Sequence, residues 1–480
     1  MKINDIKLGH ATNSSSRHDI IIIKDKKPKL SLPKLSLPKD GGYFFEEFVL
    51  TTPKTKMEYL ATQFSCHLTD FVGRNTANMI LDHIFGLFTF GDSDQCLDHQ
   101  SQIAFPYKIS NNQVLDIDYE FLKDLTEFIR RDDVIIVGGS DQMEENHGAG
   151  LVRPTLGEYE TVLPREIFDI CNTKLFSKKD GDWWVLYNSA TGAKATFSFN
   201  ENAAPLVKSR TPELVDFKIT DYCEVGCPYC YQNSSIQGKH CDLNDFYSIL
   251  VTLVEMSVFE VAIGGGDPIK HPDLVFIMEE LKKHGITPNL STASFDWLLE
   301  ENASKILSIA GRVGFSIDSL SKFNQFNQNW NACRKPDKPN GVEPSIHLVA
   351  GVMNKKELET FLHENEYDIV ALGYKSVGRG KNLQPKMSNK EFLEILLKSQ
   401  ESHCLDFSID TCLAQEKEVL EKYDIPHILY GTHEGAKSCY IDLVTKICGP
   451  FSYCTDKDRF FEFKYGKDFE EKFQKHWRTW

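Results

Sequence analysis

From about Pro212 onward, short apolar runs alternate with stretches of helix length, and that alternation limits the possible fold more than any other feature of the chain. The runs "LVDFKIT", "FEVAIG", "ITPNLS", "RVGFSID", "SIHLVAGVM" and "YDIVALGYK" read as six strands. Residues 242–256, 272–284 and 296–309, and the stretch "KKELETFLHE", read as helices between them. Strands that alternate with helices pair in parallel, so the expected architecture is a doubly wound sheet or a full or partial barrel. In either, ligands sit outside the carboxyl ends of the strands, which makes the loops after them the place to look for chemistry.

The first of those loops reads "CEVGCPYC" and puts Cys223, Cys227 and Cys230 within eight residues. What three thiols mean depends on the compartment. The opening "MKINDIKLGH" lacks the apolar core of a secretory signal, and the sequence contains no run long enough to span a membrane, so a cytoplasmic location is expected. In a reducing compartment an odd count of 13 cysteines points to metal ligation or catalysis before disulfides. Structural zinc would need a fourth ligand, for which His240 and Cys241 are candidates, and a redox pair of Cys227 and Cys230 would leave Cys223 unexplained. An iron–sulfur cubane takes one thiolate per iron, so three cysteines would leave one iron open to a substrate or cofactor. The formal charge of −15 argues against a broad nucleic-acid surface and turns the partner expectation toward a peptide or small molecule.

C-x3-C-x2-C after the first strand of a parallel α/β domain resembles the signature of the radical S-adenosylmethionine (radical SAM) superfamily. Tyr229, the aromatic before the third cysteine, fits that pattern. So does "GGGDP" after the second strand, where Gly264, Gly265 and Gly266 resemble the family's GGEP motif, with Asp267 in place of the usual glutamate. The resemblance implies a [4Fe–4S] cluster held by Cys223, Cys227 and Cys230, with S-adenosylmethionine chelating the open iron. Reductive cleavage of that cofactor gives a 5′-deoxyadenosyl radical, which takes a hydrogen from an unactivated position, and an electron donor such as flavodoxin or ferredoxin is implied with it. Ser316 and Asp318, in "GFSIDS" at the fourth strand, fall where such proteins place polar groups against the cofactor; helix capping is the competing reading. "GYKSVGRGK" after the sixth strand is similar to a segment in which an arginine lies near the cofactor, which nominates Arg379. It is not a P-loop, because no Gly-Lys-Ser/Thr follows the glycines.

The tail "SIDTCLAQ...GTHEGAKSCYIDLVTKICGPFSYC" resembles the SPASM extension, or its shorter twitch form, found in radical enzymes that often act on peptides. That likeness implies a second, auxiliary iron–sulfur cluster on Cys412, Cys439, Cys448 and Cys454, with His433 where the family often has a cysteine; structural zinc and ordinary buried thiols compete. The expected organisation is an N-terminal α+β accessory or substrate-recognition region at 1–210, a six-strand partial (β/α)6 TIM-like barrel at 211–390, and a small cysteine-rich domain at 391–480. Within the first region, "DWWVLYNSATGAKATFSF" reads as a hairpin and the repeat "KLSLPKLSLPKD" as an extended arm. Trp183 and Trp184 read as an alternating pair of which one is usually core, and not as a peptide-stacking surface. The expected function is radical modification of a peptide or protein side chain. The alternatives are the same chemistry on a small metabolite or nucleotide, and a zinc-stabilised, non-enzymatic binding module.

Overall fold

The computed structural model describes residues 202–336, 344–403, 407–423, 425, 433–464 and 467–480, and toward the N-terminus 2–7, 16–23, 48–57, 59–60, 107–109, 115–117, 119–140, 159–161, 175–189, 192 and 194–200. The chain divides into two compact units, Met1–Leu206 and Val207–Trp480.

The first unit holds two antiparallel sheets of four strands each and a helix at Tyr119–Ile129. One sheet contains the expected hairpin, with Trp183–Asn188 paired to Lys194–Ser198. Trp183 and Trp184 are both buried, and the Trp184 indole donates to Asp124 at 3.0 Å, so this pair belongs to the core. The repeat at 29–40 and Cys66, Cys96 and Cys171 lie outside the described residues.

In the second unit the six expected strands form in the expected order: β1 (Leu214–Thr220), β2 (Glu260–Gly265), β3 (Thr287–Thr292), β4 (Val313–Ser316), β5 (Pro344–Val349) and β6 (Asp368–Leu372). Each pairs in parallel with its sequence neighbour. Strands added always on the same side wind one way, as a partial barrel does, and this removes the doubly wound alternative, whose order reverses at a switch point. The crossovers run through α1 (Leu243–Glu255), α2 (Leu274–Lys283), α3 (Ala303–Ile309), α4 (Leu320–Ala332) and α5 (Lys355–Glu364).

The sheet continues past the expected six strands at both edges. After α6 (Asn389–His403), β7 (Phe407–Ile409) adds in parallel to β6. At the other edge β8 (Ser438–Asp442) lies parallel to β1 and carries an antiparallel pair, β9 (Ile447–Gly449) and β10 (Phe461–Glu462). The result is one ten-stranded sheet. The closing helix forms as α7 (Lys467–Trp477), burying Phe469, Phe473 and Trp477 at helical spacing. These side chains join Phe461, Cys439 and Cys448 in the same hydrophobic core as the barrel strands. The stretch expected as a separate domain at 391–480 thus shares both sheet and core with 214–372.

Alternation along each strand separates an outer face from a lumen. Val215, Phe217 and Ile219 of β1 are buried on the outer side, where Phe217 meets Phe246 of α1 with ring centroids 6.3 Å apart. Asp216, Lys218 and Thr220 face the other way, and the register pairs Lys218 with Asp442 of β8. The Lys218 ammonium reaches Asp442 at 3.0 Å and Asp221 at 2.5 Å. Among the described residues no helix is long and apolar enough to cross a membrane.

Candidate functional site

The loop after β1 carries Cys223, Cys227 and Cys230 at the barrel mouth, all three half-buried and free of disulfides. Its fold comes from backbone bonds: Tyr222 N–H donates to Thr220 Oγ1 (2.9 Å), Cys223 N–H to Ser235 O (3.0 Å) and Cys230 N–H to Cys227 O (3.2 Å). Gly226, at φ 67°, makes a turn that a β-carbon would strain.

A second loop, after β6, locks this one from above. Arg379 donates from its backbone N–H to Cys230 O (2.9 Å), from Nε to Cys227 O (3.0 Å) and from Nη1 to Ser234 O (2.7 Å). Gly378, at φ 58°, lies so close that a β-carbon there would overlap the carbonyls of Cys230 and Tyr231. Arg379, nominated from sequence for the cofactor, places its backbone N–H, Nε and Nη1 on this stretch, while its buried Nη2 has no partner among the described residues. In this structure these bonds position the loop.

The glycines after β2 divide by function. Gly265 and Gly266 are needed for close approach, since a β-carbon would overlap Thr220 O in one case and Tyr222 O in the other. Gly264 meets nothing within 4 Å and leaves open space at the mouth. Asp267 is only 2% exposed, and its carboxylate accepts from Thr292 Oγ1 (2.9 Å) and Ser294 Oγ (2.5 Å). The shorter acid is thus held by the hydroxyls of "NLSTAS", tying the β2 loop to the β3 loop.

Asp318 resolves the capping question. The N-cap of α4 is Ser319, which accepts from Lys322 N–H, whereas Asp318 accepts from the Tyr229 phenol (3.1 Å) and pairs with the Lys322 ammonium (2.7 Å). Burial pushes the Tyr229 hydroxyl well up, with the Cys227 and Asp318 charges adding to it, so the phenol stays a donor. Burial also raises the Cys227 thiol, and Lys322 works against that rise. Ser316, half-buried at the end of β4, lies in register with His347 of β5.

The two candidate fourth zinc ligands are engaged elsewhere. His240 Nδ1 is 2.9 Å from Thr220 Oγ1 and its ring sits edge-on to His271; Cys241 is buried, 3.6 Å from His271 Nε2, and its thiol is pushed up to about 12, mainly by burial. Among the described residues no three His, Cys, Asp or Glu side chains converge on a point as a single ion needs. Three thiols on one clamped loop, beside the space left at Gly264, fit a wider, polynuclear centre with an open position.

The tail thiols are not gathered in the same way. Register puts Cys439 beside Val215, on the outer face of the sheet, and Cys448 beside Ile441 on that same face. Both are buried in the core, at 1% and 0% exposure, and the Cys448 thiol is held well above its ordinary value by burial and by its neighbour Cys439. Cys412 follows β7 and packs on Gly373, and Cys454 is half-buried with its thiol 3.7 Å from Asp456 O. In this structure Cys439 and Cys448 thus lie in the core while Cys412 and Cys454 are half-buried, a division set by strand alternation that Cys spacing alone does not reveal. His433 lines a cavity with Cys412.

The sequence reading passed over Lys375, although it lies inside the quoted "GYKSVGRGK". Its ammonium is 3.4 Å from Asp410, 5.1 Å from the centre of the Tyr231 ring and 4.6 Å from that of Tyr453, so it connects the residue after Cys230 to the tail. Asp216 was also missed; burial lifts its carboxyl to about 6, with Lys375 opposing and Glu434 and Asp410 reinforcing the rise. Lys322 completes the omissions, and its signal was available as the i, i+4 partner of Asp318.

A one-way parallel barrel with a three-thiol loop after its first strand defines a class, and the family comparison states which: residues 217–343 match the Radical SAM superfamily. That match covers about a quarter of the chain and is to a family whose members use a [4Fe–4S] cluster and S-adenosylmethionine. It is 32% identical over 110 residues to a GTP 3′,8-cyclase of Peptoclostridium acidaminophilum, covering 22% of this chain and 33% of that one. It is 29% identical over 96 residues to a PqqA peptide cyclase of Gluconobacter oxydans, covering 20% and 26%. The chain thus spans a quarter to a third of the length of these curated relatives. Among solved structures, SuiB of Streptococcus suis aligns with a TM-score of 0.45 and 12% identity, over 63% of this chain and 86% of that one.

Proposed function

We propose that this chain is a radical S-adenosylmethionine enzyme acting on a peptide or protein side chain. The observation that carries the enzymatic reading is the thiol loop itself, whose Cys227 and Cys230 carbonyls are held by Arg379 from the opposite side of the mouth. When bound, the cluster and S-adenosylmethionine would supply one-electron cleavage and hydrogen-atom abstraction. Cys223, Cys227 and Cys230 would hold the cluster. Tyr229, through Asp318 and Lys322, ties that loop to the end of β4, and Gly264 leaves room beside it for the cofactor. Gly265 and Gly266 let the β2 loop pack against the first loop, and Asp267 ties it to the β3 loop. A flavodoxin or ferredoxin would deliver the electron, in a cytoplasmic setting.

A PqqA peptide cyclase among the relatives supports a peptide substrate, as does an N-terminal unit large enough to grip one. Chemistry on a nucleotide is the second reading, supported by the GTP 3′,8-cyclase matches. Protein purified and reconstituted without oxygen should bind iron and sulfide and, with dithionite and S-adenosylmethionine, release 5′-deoxyadenosine. Cys227→Ala should abolish that release. Zinc in place of iron, or undiminished release by the variant, would overturn the assignment.

A further inference from the structure

Beside the mouth, the C-terminal unit contains a cavity of about 530 Å³ whose walls are chemically one-sided. Lys208 and Arg459 both line it, and neither makes an ion pair among the described residues. Instead each cation lies over an aromatic face: the Lys208 ammonium is 4.7 Å from the centre of the Trp477 ring, and the Arg459 guanidinium 5.5 Å from that of Phe451. Two further observations point the same way. The Lys208 ammonium and the Trp480 indole N–H are buried with no hydrogen-bond partner, and both belong to residues lining the cavity. Burial, and then the charge of Arg459, lower the Lys208 pKa, as expected of two cations left together without an anion.

The protein has acid to spare, with 69 aspartates and glutamates against 54 lysines and arginines, so leaving these two cations uncompensated is not a shortage of partners. The carboxylate in the cavity wall, Glu434, is taken by the hydroxyls of Thr411 and Tyr453 at the far end. A buried donor without an acceptor costs its desolvation, and a ligand bearing acceptor oxygens recovers it. Phe451, Tyr453 and Trp480 in the cavity wall add an aromatic surface for the flat or apolar part of that ligand.

We infer that this cavity seats an anionic group of the substrate, a carboxylate or a phosphate, between Lys208, Arg459 and the Trp480 indole. The inference rests on the radical-enzyme reading for the word substrate. The geometry supports the link: Tyr453, in the cavity wall, is in contact with Lys375, which in turn faces Tyr231 beside Cys230. A substrate anchored by its anion would extend from this cavity toward the thiol loop.

The test uses the full, anaerobically reconstituted chain at low ionic strength, titrated with inorganic phosphate, N-acetylaspartate and the neutral N-acetylasparagine, reading tryptophan fluorescence. At least one anion should bind saturably in the low-millimolar range, and the neutral analogue should not. Lys208→Met and Arg459→Gln should each weaken that anion at least tenfold, with Arg459→Lys, which keeps the charge and loses the fork, falling between. Preference for phosphate would assign the anion to a nucleotide-like substrate, preference for carboxylate to a peptide. Failure of both anions to saturate by about 50 mM, or equal binding by variants that melt like the wild type, would overturn the proposal. Release of 5′-deoxyadenosine without substrate, measured on the same samples, reports the radical reading separately, because neither cation contacts the thiol loop.

Discussion

Removing the Arg379 side chain should loosen the thiol loop without unfolding the protein. The guanidinium donates to Cys227 O at 3.0 Å and to Ser234 O at 2.7 Å, while the backbone bond to Cys230 O survives any substitution but proline. Hydrogen bonds from a charged donor contribute about 1.5–3 kcal/mol each. Arg379 is half-buried and water can replace part of that, so the lower end applies to both, giving about 3 kcal/mol for the pair. Since about 1.4 kcal/mol is tenfold in an equilibrium, Arg379→Met should raise the population of the open loop about a hundredfold. Arg379→Lys, with one ammonium in place of a fork, should keep one bond and lose about tenfold. The assay is iron release from reconstituted protein to an excess of ferrous chelator under anaerobic conditions, with the melting temperature of the metal-free chain as control. Faster release in the order Met, Lys, wild type, with any fall in melting temperature too small to account for it, is the expected result. Identical release rates would refute the clamp, and so would a rise explained wholly by a lower melting temperature.

Two further substitutions test the sheet. Asp216 has a folded pKa raised to about 6 from 3.8, so between those values the folded state binds the extra proton and stability falls as pH rises. Asp216→Asn should therefore match the wild type below about pH 4 and exceed it above pH 6 by up to about 3 kcal/mol, read from denaturant melts across that range; a gain confined to acid pH would contradict the sign. Cys448→Ser buries a hydroxyl among apolar side chains and should cost about 1–3 kcal/mol while leaving the iron content of reconstituted protein unchanged; loss of iron with an unaltered melting temperature would make Cys448 a ligand.

What the sequence disclosed follows from how local each signal is. β1 to β6 were legible because each is a short apolar run closed by turn residues, and the thiol loop because its spacing is a local property. Helix α4 was passed over: between Ser319 and Cys333 its buried face is only Phe323, Phe326 and Trp330, on a background of asparagine and glutamine that reads as loop. Strand β7 has three residues, and β8 joins the parallel sheet through β1, which lies more than 200 residues earlier. No window of sequence contains that pairing. The same limit explains Arg379 and the tail cysteines. An arginine in a glycine-rich loop announces a role at the mouth, yet whether it faces the cofactor or the neighbouring loop depends on the packing of Gly378 against Cys230 and Tyr231. Four cysteines at irregular spacing suggest one centre, yet alternation along β8 and β9 sends Cys439 and Cys448 into the core.

The pairing of β8 with β1 also changes what the tail does. In a partial barrel the first strand would otherwise expose an edge of unpaired N–H and C=O groups just below the loop that bears the chemistry. Here β8 covers that edge over five register positions, from Leu214 with Ser438 to Lys218 with Asp442, and Leu443 N–H then donates to Lys218 O at 3.0 Å. At the upper end the Lys218 ammonium lies between Asp442 of the tail and Asp221, two residues before Cys223. A lysine that is only 6% exposed, with its ammonium shared by two carboxylates, resists displacement, because losing either acid would leave a buried charge with less compensation. Burial alone would lower its pKa, and those two acids instead raise it. The tail is therefore part of the floor on which the thiol loop stands.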